Sequence, residues 1–242
     1  MTLSLKEETP LVLVIATRNA HKVEEIRAIL GGAFSCRTLN DFPGAPAVVE
    51  DAATFTGNAT KKAVQLADWL SAHPSLEAAL TGSGSLVLAD DSGLEVDALG
   101  GAPGVHSARF AGLEASPGAA LGNAPDADNN AKLLRLLKDV EQRSARFRCV
   151  LALTPVPVPG RRTSSPVGDA ESGVGTEIFE GVCEGRMGLV ARGQGGFGYD
   201  PLFIPAGYEE SFAELGEAVK NRLSHRAQAL LKLKARLSGR MS

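Results

Sequence analysis

"LVLVIATRNAHKVEEIRAILGG", residues 11–32, is the stretch that decides the fold class. It opens with an uninterrupted aliphatic run, Leu11–Ala16, which is typical of a buried strand. A polar turn follows, and from Ala20 apolar residues recur at helical spacing as far as Leu30. Asn19 is suited to cap that helix, and the glycine pair after Leu30 is suited to end it. A strand, a short turn and a helix at the start of the chain predict an α/β architecture.

The turn at Thr17–Asn19 is also suited to bind an anion. A helix N-terminus presents unpaired backbone N–H groups and the positive end of the helix dipole. Lys22, in the first turn of the predicted helix, adds a full positive charge at the same place. The glycines and the GK[ST] sequence of a Walker A loop are missing, so the spacing alone fits a capped surface helix without a ligand equally well.

The rest of the chain continues to alternate strands and helices. The third predicted helix would turn Leu133, Leu136 and Leu137 inward. The predicted elements are helices at Phe55–Leu70 and Asn129–Val140, strands from Leu86, at Phe147–Thr154 and after Thr176, a glycine loop that enters a strand near Phe203, and a last helix capped by Ser224.

The chain is predicted to form a single domain over residues 1–242. Its first ten residues form a polar tail, and Pro155–Thr176 has the proline, glycine, serine and charge content of a disordered surface loop. Because strand-like sequence resumes directly after this segment, we interpret it as an insertion within the domain. The alternative is a linker between two independent domains.

The composition limits the classes of function. Of the 242 residues, 44% are hydrophobic and 22% are charged, and the formal net charge is −3. This mild acidity offers no basic surface for nucleic acid or for a membrane. The N-terminus carries Lys6, Glu7 and Glu8 where a signal peptide needs an apolar core, so we predict a cytoplasmic protein. The three cysteines form no C-x-x-C pair and are expected to be small buried hydrophobes.

The stretch "LVLADDSGLEV", residues 86–96, carries the strongest chemical signal. Its apolar run is predicted to end on Asp90 and Asp91, with a turn at Ser92-Gly93. Two adjacent carboxylates repel each other and lose hydration unless a cation lies close by. Mg²⁺ takes one or two carboxylates and leaves its other positions for water and phosphates, so it suits this pair. Neighbouring strand residues face opposite sides, so one carboxylate could bind metal while the other orients a water; the alternative is a solvated Asx turn.

Two later stretches add candidate binding residues. "GGFGYDPLF", residues 195–203, could lay backbone amides and the Phe197 ring against a flat ligand, although Phe197 taken alone is better explained as a core residue. "KNRLSHRAQAL", residues 220–230, places His225 and Arg226 at a helix N-terminus, where cations oppose the dipole. A phosphate or a carbonyl-rich ring would explain them.

Taken together, these motifs closely resemble the inosine triphosphate pyrophosphatase-like family. The likeness extends over nearly the whole chain apart from the N-terminal tail, the insertion and the last residues. The matching stretches are "ATRNAHKVEEI" (Ala16–Ile26), "ADDSGLEVDALGGAPGVHSARFAG" (Ala89–Gly112), "GGFGYDPLF" (Gly195–Phe203) and "LSHRAQAL" (Leu223–Leu230).

The resemblance implies a fold and an activity. The fold is α/β, with an elongated central mixed sheet flanked by helices and two lobes with a substrate cleft between them. The activity is Mg²⁺-dependent hydrolysis of ITP, dITP and XTP to the nucleoside monophosphate and pyrophosphate, which removes these non-standard purine nucleotides from the pool. The expected partners are these small molecules and a second copy of the chain in a homodimer, with neither nucleic acid nor a membrane.

The resemblance also implies roles for particular residues. Asp91 would be the proton acceptor and a metal ligand, with Asp90 and Glu50 as the other candidate ligands. Glu50 begins Glu-Asp-Ala where an acidic-acidic-Gly pattern is commoner, so the choice between Glu50 and Asp51 stays open. The implied substrate-binding residues are Thr17, Arg18, Asn19, Ala20, His21 and Lys22 of the first turn, Lys62 and Ser92, the loop residues Phe197, Gly198, Tyr199 and Asp200, and Lys220, His225 and Arg226.

Two alternatives to this activity are considered. A module that binds purine nucleotides without hydrolysing them would not need the metal-and-base set of Lys22, Glu50, Asp90 and Asp91. A pyrophosphatase for pyrimidine or modified nucleotides is the nearer rival, and the SHR and FGYDP motifs favour purines over it.

Overall fold

The computed structural model describes residues 11–73, 76, 85–114, 122–157 and 175–239. The predicted N-terminal tail, most of the predicted loop before Leu86 and most of the predicted insertion at Pro155–Thr176 lie outside the described residues. By contact density the chain divides into two compact units. The first comprises the described residues within Met1–Ala52, Thr56–Asp90 and Leu151–Ile178, and the second those within Ala53–Phe55, Asp91–Val150 and Phe179–Ser242.

The central element is a six-stranded sheet of order β2-β1-β3-β4-β5-β6. β1 pairs in parallel with both β2 and β3, whereas β5 and β6 are antiparallel. The sheet is therefore mixed, as the family resemblance implied. The strands are β1 (Val12–Ile15), β2 (Ser35–Thr38), β3 (Ser85–Val96), β4 (Ser144–Pro155), β5 (Glu177–Met187) and β6 (Phe203–Pro205).

Helices occupy much of the chain between the strands, which confirms the predicted α/β class. Short 3-10 helices complete the connections at Gly31–Ala33, Leu39–Asp41, Asp97–Leu99, Gly104–Arg109 and Ala111–Glu114. The α-helices are α1 (Ala20–Leu30), α2 (Phe55–Ser71), α3 (Asp126–Leu136), α4 (Phe212–Leu215), α5 (Glu217–Leu223) and α6 (His225–Ser238).

In the first unit, the predicted strand, turn and helix at the chain start are confirmed. All four residues of β1 are buried, as expected for a parallel strand covered on both faces. The Asn19 side chain accepts a hydrogen bond from the Lys22 N–H and caps α1. Gly31, with φ +68, ends the helix, because its positive φ is one that glycine adopts without strain.

In the second unit, an aromatic cluster forms the centre of the core. Phe147 lies 4.7 Å from Phe203 and 6.3 Å from Phe212, measured between ring centroids. The core also contains Leu94, Val96, Phe110, Leu133, Leu137, Ala145, Cys183, Met187, Tyr199 and Leu202. β3 and β6 therefore end beside a rigid core, which fixes the loops that adjoin them.

The predicted turn at Ser92-Gly93 is wrong, because β3 continues without interruption to Val96. Gly93 serves close packing instead of a turn. A Cβ atom at this position would lie 2.5 Å from both Gly104 O and Ser107 Oγ. The Ser107 hydroxyl accepts the Leu94 N–H at 2.9 Å and donates to Gly104 O at 2.6 Å, so the 3-10 helix Gly104–Arg109 lies directly against the strand.

The third predicted helix is shifted towards the N-terminus, to Asp126–Leu136 instead of Asn129–Val140. Asp126 and Asp128 in its first turn interact favourably with the helix dipole, which explains the earlier start. It ends early because the Arg143 guanidinium binds the carbonyls of Leu137 and Val140. Leu133 and Leu137 are buried as predicted, but Leu136 is 42% exposed, so its predicted inward orientation is wrong.

The predicted burial of the cysteines is confirmed for Cys149 and Cys183, and the predicted cap of the last helix is confirmed at Ser224. Cys149 and Cys183 are buried, and Cys36 is half-buried; all three are free thiols. Burial raises the pKa of Cys183 to about 12, which keeps it an unreactive thiol. Ser224 caps α6 by accepting the Ala227 N–H. None of the described helices is both long and apolar enough to cross a membrane.

The close packing at Gly93 leads to a stability prediction. Gly93→Ala is expected to lower the free energy of unfolding by about 1–3 kcal/mol, because the new methyl group collides with backbone and cannot be accommodated by a side-chain movement. Gly112→Ala, where a Cβ meets nothing within 4 Å, is the matched control and should change little. Urea unfolding of both variants measures the effect; equal midpoints would show that β3 does not need glycine here.

Candidate active site

In the first unit, the turn between β1 and α1 is stabilised by hydrogen bonds to its own side chains. The Thr17 hydroxyl accepts the Asn19 N–H at 3.1 Å, and Asn19 Oδ1 accepts the Lys22 N–H at 3.1 Å. Arg18 reaches away from the turn and donates to Ala45 O at 3.3 Å. The residues from Arg18 to His21 are exposed, so the start of α1 is accessible to an anion.

Lys22 supplies the cation that the Asp90 carboxylate needs. Its Nζ lies 2.5 Å from Asp90 Oδ1, and the Asp90 side chain is fully buried while that of Lys22 is 18% exposed. A buried carboxylate is tolerated when it is paired and hydrogen-bonded in this way. The charge on Asp90 is therefore balanced by a lysine from a distant part of the chain.

Lys62 on α2 belongs to the same cluster. Its buried Nζ donates to Asp90 O at 3.1 Å and lies 3.0 Å from Glu50 Oε1. The neighbouring pair, Lys61 and Asp51, is exposed: their side chains meet at 2.5 Å, and the hydrogen bond from Lys61 lowers the pKa of Asp51. Of the two acidic residues, Glu50 is thus the one that shares a lysine with Asp90.

In the second unit, Asp200 and Lys220 form a buried ion pair beneath the Phe197 loop. Lys220 Nζ lies 2.6 Å from Asp200 Oδ2, and the same oxygen accepts the Phe197 N–H at 2.9 Å. The Lys220 ammonium lies 4.4 Å from the centroid of the Phe197 ring, and the Arg226 guanidinium lies 5.8 Å from it. These distances allow cation–π attraction, so the ring and both cations belong to one cluster.

Three backbone amides of this loop are bound within the protein, two by the loop itself and one by α3, so these three do not face a ligand as the sequence suggested. Asp200 accepts the Phe197 N–H, Asp126 accepts the Gly198 N–H, and the Asp200 N–H donates to Phe197 O. Tyr199 is buried, and its hydroxyl donates to Ser107 O at 2.9 Å. Burial, and to a smaller extent the Asp126 charge, raise the pKa of Tyr199, which keeps this donor protonated.

The start of α6 lies in the same unit. Arg226 is 1% exposed and donates to Ser92 Oγ at 3.2 Å, so the structure joins two residues that lie 134 positions apart in the sequence. His225 is buried and stacks on Phe147 at 4.8 Å between ring centroids, with an angle of 13° between the ring planes. Asp91 is 5% exposed and directly precedes Ser92 in β3.

The sequence-predicted residues therefore fall into two groups. In the first unit, Lys22 pairs with the Asp90 carboxylate, and Lys62 joins Glu50 to the Asp90 main-chain oxygen. In the second unit, Phe197, Asp200, Lys220 and Arg226 contact one another, and Ser92 is bound to Arg226.

Sequence reasoning missed Asp126 and Asn130 on α3, which bind the main chain of Gly198. Their spacing of four residues at a helix start was the available signal.

The described parts of the chain contain no group of three His, Cys, Asp or Glu side chains that could hold a metal ion. Such a group is what a structural zinc site would require. Mg²⁺ needs fewer protein ligands, because it keeps water and takes phosphate oxygens from the substrate. The carboxylates present, with lysines to limit their repulsion, fit that kind of site.

Comparison with known proteins gives consistent matches along nearly the whole chain. The sequence profile of the Ham1 family matches residues 13–236. A dITP/XTP pyrophosphatase of Desulforamulus reducens is 44% identical over 223 residues, which cover 91% of this chain and 92% of the relative. One of Syntrophobacter fumaroxidans is 46% identical over 223 residues, covering 92% and 80%.

A solved structure has the same fold. That of a HAM1 protein from Coxiella burnetii superposes with a TM-score of 0.72 and is 34% identical, covering 95% of this chain and 99% of its own.

Proposed function

Because this chain belongs to the Ham1 family, we propose that it is a nucleoside triphosphate pyrophosphatase for non-standard purine nucleotides. It hydrolyses ITP, dITP and XTP to the monophosphate and pyrophosphate. The names of its relatives support this activity over a module that only binds nucleotides. The observation that carries it is the cluster in which Lys22, in the first turn of α1, pairs with the Asp90 carboxylate, while Lys62 joins Glu50 to the Asp90 main-chain oxygen.

In this proposal the first unit binds the triphosphate. The exposed start of α1, from Arg18 to His21, faces the phosphate oxygens, and the positive end of the helix dipole attracts them. Lys22 and Lys62 add two full charges. Both lysines are already fixed by Asp90, through its carboxylate and its main-chain oxygen respectively, so little reorganisation is needed when the substrate arrives.

Asp91 is the proton acceptor in the proposed reaction. A water oxygen attacks the α-phosphorus, the bond from that phosphorus to the bridging oxygen breaks, and pyrophosphate leaves with the electron pair. The water proton passes to the Asp91 carboxylate. Pyrophosphate carries several negative charges, so most of the rate acceleration comes from the positive charges around it.

Glu50 and Asp91, with Asp90 beside them, are the residues that would hold Mg²⁺. When bound, the ion supplies positive charge to the triphosphate and favours loss of a proton from water. Glu50 is proposed over Asp51 because Glu50 shares Lys62 with Asp90, whereas Asp51 is paired with Lys61 at the surface.

The second unit recognises the base. Phe197 stacks on the purine, and Lys220, His225 and Arg226 close on the base and its phosphates, with Ser92 positioned by Arg226. Hypoxanthine and xanthine carry a 6-oxo acceptor where adenine carries an amino donor. A buried donor such as Arg226 pairs with the oxo group and loses its partner opposite adenine, which can discriminate by as much as about 10⁴-fold.

Substrate preference tests this proposal. The purified protein is incubated with Mg²⁺ and, separately, with ITP, dITP, XTP, ATP and GTP, and pyrophosphate release is measured. The value of kcat/KM for the first three should exceed that for ATP and GTP by about 10²-fold or more. Equal rates on ATP would contradict the base selectivity, and tight ITP binding without turnover would identify a nucleotide-binding module instead.

A pair of neighbouring variants tests the proposed metal ligand. Glu50→Gln should raise the Mg²⁺ concentration for half-maximal activity by about tenfold or more, because one anionic ligand is lost. Asp51→Asn removes the same charge one residue away and should leave that concentration unchanged. A Mg²⁺ titration of initial rates after treatment with a chelator measures both. A larger effect from Asp51→Asn would transfer the ligand role to Asp51.

The assembly and location of the protein are proposed from the same family resemblance. The chain acts as a homodimer in the cytoplasm, without nucleic acid or membrane as a partner. Sedimentation equilibrium at micromolar concentration distinguishes a dimer from a monomer, and a monomer of 25.2 kDa would contradict the first of these proposals.

A further inference from the structure

Both hydrogen-bonding groups of Gly198 are bound by one helix. Asp126 Oδ2 accepts the Gly198 N–H at 2.6 Å, and Asn130 Nδ2 donates to Gly198 O at 2.9 Å. Asp126 and Asn130 are four residues apart on α3, so they lie on the same face of the helix. The peptide groups on either side of this glycine are therefore fixed to α3.

Gly198 is the residue in its loop that most needs such anchors. Its φ of +63 lies in the left-handed region, and glycine loses more conformational freedom on ordering than any other residue. Its neighbours are fixed separately: Asp200 accepts the Phe197 N–H, and the Tyr199 hydroxyl donates to Ser107 O. Without the contacts to α3, the Gly198 peptide groups could rotate between these two fixed points.

The bond from the Phe197 N–H to Asp200 does not fix the ψ angle of Phe197, so rotation of the peptide group between Phe197 and Gly198 would displace the Phe197 ring. The Phe197 ring lies 4.4 Å from Lys220 Nζ and 5.8 Å from the Arg226 guanidinium, measured from the ring centroid. Lys220 and Arg226 are both buried, so they cannot follow a displaced ring easily. The relative placement of ring and cations thus depends on the conformation of Gly198.

We propose that Asp126 and Asn130 are positioning residues for base recognition, which hold the Phe197–Gly198 segment in the conformation that accepts a 6-oxopurine. This inference rests on the proposed function, since it needs Phe197 to contact the base. A carboxylate is a strong acceptor for a backbone N–H, so Asp126 makes the larger contribution. The two residues act through the loop and do not contact the substrate.

A comparison of Asp126 with Asp128 distinguishes this positioning role from a purely structural one. Asp126 and Asp128 are both exposed in the first turn of α3, where each interacts favourably with the helix dipole. Removing either charge should therefore have the same small effect on stability. Asp126 alone accepts the Gly198 N–H, so a difference between the two variants in nucleotide binding reports on the loop.

The test compares Asp126→Ala, Asp126→Asn and the control Asp128→Ala in the full chain. Three quantities are measured: KM and kcat for ITP, the ratio of kcat/KM for ITP to that for ATP, and the dissociation constant of IMP by calorimetry. Asp126→Ala should raise KM and the IMP dissociation constant about tenfold, lower the ITP-to-ATP ratio and change kcat less, because ordering of a binding loop is lost. Asp126→Asn, which keeps an acceptor oxygen, should restore most of the affinity.

The outcomes separate this inference from the proposed function. If the wild-type protein hydrolyses ITP but Asp126→Ala and Asp128→Ala have equal affinity and equal base preference, the positioning role is wrong and the proposed function stands. If Asp126→Ala lowers the melting temperature well below that of Asp128→Ala and leaves the ITP-to-ATP ratio unchanged, Asp126 is structural only. If the wild-type protein neither hydrolyses ITP nor binds IMP, the proposed function fails and this inference fails with it.

Discussion

Asp91→Asn is expected to lower kcat for ITP hydrolysis by about 10²–10⁴-fold, the range over which a positioned general base accelerates a reaction. Asparagine has the same shape as aspartate but cannot accept the water proton. Asp91 lies within β3 and is 5% exposed, so the isosteric change should leave the strand intact. Pyrophosphate release at saturating Mg²⁺ and ITP measures the effect, and circular dichroism checks the fold.

Asp97→Asn is the control for this variant. Asp97 follows β3 directly, its carboxylate is exposed, and it is bound by Arg146. Removing its charge changes the electrostatics of the same strand without affecting the proposed base, so kcat should stay near the wild-type value. If Asp91→Asn kept more than about a tenth of the wild-type kcat, another group would have to accept the proton.

Asp200→Ala is expected to have the largest effect on stability, lowering the free energy of unfolding by about 3–5 kcal/mol. The side chains of Asp200 and Lys220 are 2% and 4% exposed, so the variant leaves a buried ammonium without its partner. It also removes the acceptor for the Phe197 N–H. Urea unfolding followed by circular dichroism measures the change.

Two further variants identify the buried charge as the cause. In Asp200→Ala/Lys220→Met no unpaired charge remains, so the double variant should recover much of the lost stability. Glu209→Ala breaks the exposed pair with Arg186 and should have little measurable effect. The single variant Lys220→Met completes the comparison. If the stability losses of Asp200→Ala and Lys220→Met simply add up in the double variant, the ion pair is not the source of the loss.

Local signals in the sequence predicted the elements whose ends are set by neighbouring residues. Asn19 and Ser224 cap α1 and α6 as their positions indicated, because a cap needs only the next three residues to form. The same kind of signal was available and unused at Ser211 and Glu214, which form the capping box that starts α4.

The error in β3 arose because distant residues decide the conformation there. Asp-Asp-Ser-Gly is typical of a turn when read alone. In the fold, Lys22 balances the Asp90 charge, and the 3-10 helix Gly104–Arg109 requires the absence of a side chain at Gly93. Neither contact can be read from local sequence, because the partners lie 68 and 11 or more positions away.

The candidate site shows the same division between local and distant information. Residue types and motif resemblance identified Lys22, Lys62, Phe197 and Arg226. The contacts that hold these side chains in place could not be predicted. Lys62 is bound by Glu50 and by the main-chain oxygen of Asp90, and Arg226 donates to Ser92. The contact of Asp126 with Gly198 spans 72 positions and emerges only when α3 and the loop are placed in three dimensions.

The position of bond cleavage tests the central claim most directly. ITP is hydrolysed in a single turnover in water enriched in ¹⁸O, and the products are analysed by mass spectrometry. Attack at the α-phosphorus predicts one ¹⁸O atom in the IMP phosphate, with unlabelled pyrophosphate and no orthophosphate. Label in the pyrophosphate, or labelled orthophosphate with IDP, would place the attack at the β- or γ-phosphorus and contradict the proposed reaction.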